Sequence, residues 1–136
     1  MWSIKMGDKS IFILDDDPVF IAMIERWVRT MHPTVRVRSA LTPEGALAML
    51  EAHPTPTHIL VDLHMPRVNG LDVVRQLTPH APRSHFILIT ALPTDALEEV
   101  AHQAGIHAIV PKHQLVDYLD HLLKNGNTNH GLMKKP

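Results

Sequence analysis

Five short runs rich in β-branched and other apolar residues punctuate the chain: "SIFIL" at 10–14, "VRVRSA" at 35–40, "HILV" at 58–61, "HFILIT" at 85–90 and "HAIV" at 107–110. Between them lie stretches whose apolar residues recur at threes and fours, as in Phe20, Met23, Ile24, Trp27, Val28 and Met31. That spacing gathers apolar side chains on one side of a helix, whereas mostly apolar runs suit strands buried on both faces. Strands and helices in strict alternation leave few solutions. Right-handed crossovers reduce them to an α/β fold: a doubly wound, five-stranded parallel sheet with helices on both faces.

The helix boundaries are written locally. Asp17 and Thr42 each precede a proline, so Asp17 is expected to cap a helix opened by Pro18, and Thr42 one opened by Pro43. Proline suits a first helical position because its missing N–H would have had no partner there. A third helix is expected from Gly70 through "LDVVRQL". A fourth is capped by Thr94 and ended by Gly105, and a fifth lies in "QLVDYLDHLL". The 136 residues suffice for one domain with a real core and not for two. Residues 1–8 read as a loose tail, 9–124 as the domain, and the polar, glycine-rich 125–136 as a flexible C-terminal tail.

Composition narrows the function. Zero cysteines exclude disulfides, thiol nucleophiles and thiolate metal sites. Thirteen basic residues against fourteen acidic ones, with Lys134–Lys135 the only terminal basic cluster, offer no nucleic-acid surface. No apolar run approaches a membrane span, and "MWSIKMGDKS" holds no signal peptide, so a soluble, cytoplasmic protein is expected. The eleven histidines are scattered with no pair at i, i+4, and read as solvated or partly buried side chains rather than a metal centre. Arg26, Arg29, Arg36 and Arg38 read as solvated faces.

Doubly wound sheets place ligands just outside the carboxyl ends of their strands. There the sequence sets Asp15, Asp16 and Asp17 after the first strand, Asp62 after the third, Thr90 at the end of the fourth and Lys112 after the fifth. The first turn, "DDDPV", has no glycine for a close backbone approach to phosphate and would repel one. Converging carboxylates repel each other too, unless some are protonated or a divalent cation binds them; hard oxygen ligands favour Mg²⁺. With that charge in place, an aspartate can act as a nucleophile towards phosphorus. Lys112 would offset negative charge and the Thr90 hydroxyl would hold a phosphoryl oxygen. These are the parts of a phosphoryl-transfer site, with Asp17 left as a helix cap.

The chain resembles the receiver domain of two-component response regulators from about Lys9 to Lys124. The likeness rests on "ILDDD", on "VDLHMPRVNG" at 61–70, on "LITA" at 88–91 and on "VPK" at 110–112. It implies a flavodoxin-like sheet of order 2-1-3-4-5, with Asp62 as the phosphoacceptor. It also implies that Asp16 touches Mg²⁺ directly and Asp15 through water, that the main-chain carbonyl of His64 is a further ligand, and that Thr90 and Lys112 are the switch hydroxyl and charge-neutralising lysine. Met65, Pro66 and Gly70 would shape the loop, glycine permitting the bend before the third helix. The implied donor is a sensor histidine kinase or histidine phosphotransfer protein. The implied output is phosphorylation-dependent binding of another protein, by a switch rather than an enzyme and most simply by a stand-alone receiver. The His64 side chain reads as a passive loop residue, with an imidazole standing near the phosphoryl group as the alternative.

Two positions depart from the family pattern. Ile109 stands where an aromatic ring is usual, which puts a ring-flip readout in question. Pro111 precedes Lys112 and His113 follows it, where proline usually follows the lysine, often through a cis bond; a different loop shape is expected. Two other functions fit part of the sequence. "DDDPV" matches the Asp-x-Asp-x-Val signature of haloacid-dehalogenase-type phosphatases, with Asp15 as nucleophile and Asp17 as general acid, although no acidic pair follows Lys112 and "DLHMPRVNG" would go unexplained. A pseudo-receiver would keep the fold as a binding module and lack the chemistry.

Overall fold

The computed structural model describes residues 8–124. The tails expected at 1–8 and 125–136 lie outside the described residues, apart from Asp8. Five strands, β1 (Ser10–Leu14), β2 (Arg36–Ala40), β3 (His58–Asp62), β4 (His85–Thr90) and β5 (Ala108–Pro111), form one sheet in the order β2-β1-β3-β4-β5. Every neighbouring pair is parallel, with Leu14 opposite Val61 and Asp62 opposite Ile89. This is the expected topology, and it brings the ends of β1, β3, β4 and β5 to one edge.

Five helices cover the faces: α1 (Pro18–Met31), α2 (Pro43–Ala52), α3 (Gly70–Leu77), α4 (Asp95–Gln103) and α5 (Leu115–Lys124). Alternate residues of β1 serve the two layers. Ile11 and Ile13 pack with Ile24 and Val28 of α1 and Leu119 of α5, while Phe12 and Leu14 pack with Leu50 of α2 and Val74 of α3. The caps are as expected. Asp17 accepts from the Val19 and Phe20 amides at 3.0 and 3.3 Å, Thr42 from Gly45 at 3.0 Å and Thr94 from Leu97 at 3.1 Å. Gly105 lies just past α4 with φ +84°, where a side chain would be strained.

Three details were not anticipated. His64–Met65 and Val68–Asn69 pair as a short antiparallel hairpin between β3 and α3. Pro111 ends β5 as a strand residue, tolerable because β5 is an edge strand. The Lys112–Gln114 segment forms a 3₁₀ turn before α5, and no peptide bond among the described residues is cis.

Candidate metal centre

Each carboxylate reaches the sheet edge from a different local structure. Asp15 follows β1, is fully buried, and accepts through Oδ1 from the Asp17 amide at 2.9 Å. Its buried Oδ2 makes no hydrogen bond and is paired with the Lys112 ammonium, Nζ lying 3.1 Å away. The Lys112 ammonium offsets part of the cost of burying that charge, and a single ammonium against three clustered carboxylates leaves negative charge for a second cation to balance. Asp16 is exposed. Asp62 ends β3, is 6% exposed, and accepts from the His64 amide at 3.2 Å.

Ligand oxygens of Asp15, Asp16 and Asp62 all lie within 4.8 Å of one another. Oxygens on one octahedral ion at about 2.1 Å stand at most about 4.2 Å apart, so a small inward movement or one bridging water brings the three to a single ion, and the all-carboxylate donor set suits a hard divalent cation. The electrostatics agree. Burial and the neighbouring Asp15 charge push the Asp62 carboxyl above its ordinary range; the His64 amide and Lys112 offset this only in part, and Asp16 pushes it further up.

Thr90 ends β4 fully buried, its hydroxyl accepting from the Leu92 amide at 3.3 Å. The expected set of Asp15, Asp16, Asp62, Thr90 and Lys112 therefore stands at one sheet edge. Asp17 stays at the helix cap. His64 is exposed in the hairpin two residues beyond Asp62. Ile109 is 2% exposed in the core, so an aliphatic side chain fills the place where a ring was weighed.

The reason for Gly70 differs from the one expected. Its φ is not positive, so it is not needed for a bend. A Cβ there would meet the Asp62 carbonyl oxygen at 2.6 Å and Leu63 Cα at 2.7 Å. Gly70 is required because α3 starts hard against the backbone that carries Asp62, an approach also held by the Gly70 amide donating to the Leu63 carbonyl at 2.9 Å. The left-handed residue of this loop is Arg67, at φ +69°. Sequence reasoning also missed Phe20, whose ring centroid lies 4.3 Å from Lys112 Nζ. Its place in the apolar stripe of α1 made it look like any core residue.

The comparisons with known proteins converge on one family. A family model described as "Response regulator receiver domain" matches residues 11–124. The polar-differentiation response regulator DivK of Brucella ovis is 30% identical over 107 residues, covering 76% of this chain and 84% of that protein. The glycerol metabolism activator of Pseudomonas putida is 28% identical over 124 residues; the match covers 86% of this chain and 54% of the relative, so the chain spans about half its length. Among solved structures, a Burkholderia pseudomallei response regulator with a phosphorylated aspartic acid, a calcium ion and citrate superposes with a TM-score of 0.74. It is 25% identical, and the match covers 88% of this chain and 69% of that one.

Proposed function

The chain belongs to the response regulator receiver domain family, and on that premise we propose that it accepts a phosphoryl group on Asp62 from a phosphohistidine, in a Mg²⁺-dependent reaction. The observation that carries this reading is the convergence of Asp15, Asp16 and Asp62 within 4.8 Å, with Lys112 the ammonium paired to Asp15. Asp15, Asp16, Asp62 and the His64 main-chain carbonyl would hold the ion. Bound there, Mg²⁺ supplies positive charge that lets the carboxylates coexist and offsets charge on phosphoryl oxygens.

An ionised Asp62 oxygen attacks phosphorus in line. The new O–P bond forms as the N–P bond to the donor imidazole breaks, and the electron pair leaves on that nitrogen. Lys112 carries a fixed positive charge at the same edge, held at Asp15 Oδ2 and over the Phe20 ring. The buried Thr90 hydroxyl, now taken up by the Leu92 amide, is the group that turns to a phosphoryl oxygen. Close to two added negative charges bias the loop after β4 and the surface of α4 and β5, and partner affinity follows that bias. Ile109 supplies no ring, so the readout runs through backbone and Thr90 rather than an aromatic flip. The protein acts in the cytoplasm as a switch, with turnover limited to self-phosphorylation from small donors and autodephosphorylation. Its donors are a histidine kinase or phosphotransfer protein, and its output is another protein.

The hydrolase reading fares worse. Asp17 caps α1 through its Oδ1, and it is Asp62 rather than Asp17 that joins Asp15 and Asp16 in the cluster. Intact-mass spectrometry after incubation with acetyl phosphate tests the proposal. A single phosphoryl adduct, dependent on Mg²⁺ and absent from Asp62→Asn, is expected. No adduct under any condition would leave a binding module without the chemistry.

A further inference from the structure

At the opposite end of the sheet from Asp62, the starts of β1 and β2, the C-terminal part of α2 and the 53–57 loop line a partly open cavity of about 150 Å³. Its apolar wall includes Phe12, Met49 and Leu50. A cavity of roughly that volume with an apolar lining accommodates a benzene ring. The rest of the lining mixes neutral residues, such as Ser10, Thr34 and Thr57, with the charged side chains of Arg36 and Arg38. Arg36 and Arg38 are alternate residues of β2, opposite Ser10 and Phe12 of β1, so both stand on the α2 side of the sheet. His53 follows α2 and accepts from Arg38 Nη1 at 3.3 Å. Asp8 and Lys9, one charge of each sign, also line the cavity.

Arg38 is half-buried, and among the described residues no carboxylate lies within ion-pair distance of it or of Arg36. This corrects the expectation that Arg38 belongs to a solvated face. A guanidinium has five N–H donors in a planar fork that matches a carboxylate, and one bond to His53 leaves most of them available.

We propose that this cavity binds a small carboxylate with a compact apolar body, of about the size of benzoate. The apolar body lies against Met49, Pro54 and Pro56, with the buried Phe12 and Leu50 behind them, and the carboxylate meets the Arg38 fork with Arg36 beside it. Inorganic phosphate is disfavoured, because it would bring a hydrated dianion against the apolar wall with nothing to fill the remaining space. The site shares no residue with the carboxylate cluster at the other sheet edge and does not depend on phosphoryl chemistry.

The test is a ¹⁵N–¹H NMR titration of the full chain with sodium benzoate, with inorganic phosphate and benzyl alcohol run in parallel. Saturable shifts centred on residues 36–38 and 49–57 are expected with benzoate and not with the other two. Arg38→Gln should weaken binding about tenfold, the loss of one charge-assisted pair. Should that variant lose its dispersed spectrum, the exposed Arg36→Gln takes its place, with a loss of about two- to fivefold expected for a charge nearer solvent. No saturable shift with benzoate, an equal response to phosphate, or unchanged affinity in the folded variant would overturn the proposal.

Discussion

At the scale of single residues, the account turns on which side chains tolerate exchange. Gly70 and Arg67 sit three positions apart and answer to opposite constraints. Alanine at 70 would place a methyl 2.6 Å from the Asp62 carbonyl oxygen, so Gly70→Ala should cost about 1–3 kcal/mol in urea unfolding, with an unchanged m-value. Arg67 holds a left-handed conformation that asparagine tolerates better, so Arg67→Asn should be neutral or stabilising by up to about 1 kcal/mol. If Gly70→Ala proved harmless, α3 would not press on the acceptor strand as described. The metal cradle gives a second residue-scale prediction. Mg²⁺ at about a hundredfold over its Kd should raise unfolding stability by about 2.7 kcal/mol. Asp16→Asn should lose most of that gain, because Asp16 is an exposed member of the cluster and no core contact changes. An equal gain in the variant would put the ion elsewhere.

At the scale of elements, the caps and the strand ends were readable because their causes are local. Asp17 before Pro18 and Thr42 before Pro43 needed no tertiary information, and both cap as expected. Asp17→Ala should therefore cost about 1 kcal/mol and leave acetyl phosphate labelling unchanged. Lost labelling with preserved stability would instead give Asp17 a chemical role. The elements that escaped sequence reasoning depend on partners distant in the chain. The 64–69 hairpin and the close approach of Gly70 arise where β3 meets α3, and nothing in "DLHMPRVNG" distinguishes a bend from a contact. Phe20 beside Lys112 joins residues 92 positions apart. Ile109 shows the converse. Its departure from the family pattern and its place in an apolar strand were visible in the sequence, but which neighbours close around it was not, because that depends on what packs against β5.

At the scale of the whole molecule, the sheet has two unlike edges. The carboxyl edge gathers anions, whereas the opposite edge carries three histidines in a row, one at the start of β3, one at the start of β4 and one just before β5. The His85 and His107 rings stack with centroids 4.0 Å apart, and His58 meets His85 edge-on at 5.2 Å. Reading the histidines as partly buried was right for these, but their alignment follows from strand register and could not be seen in their spacing. Burial, aided by His85, Lys9 and His107, pulls the His58 imidazole from 6.5 down to about 3. Between those values the unfolded chain binds a proton that the folded chain refuses, so this stabilisation is complete above pH 6.5 and is lost as pH falls towards 3. Urea unfolding at stepped pH should show stability declining through this window, and His58→Gln should flatten the decline; an unchanged slope would remove His58 as its cause. Across the molecule, the topology and the clustering of Asp15, Asp16 and Asp62 were legible because alternation and strand-end chemistry are one-dimensional patterns, while the cavity beside Arg38 needed the third dimension. The central claim remains that Asp62 takes the phosphoryl group. Borohydride reduction of the phosphorylated protein, followed by peptide mass mapping, tests it most directly. Conversion of Asp62 alone, to homoserine, is the result predicted; conversion at Asp15 or Asp16 with Asp62 intact would contradict the account.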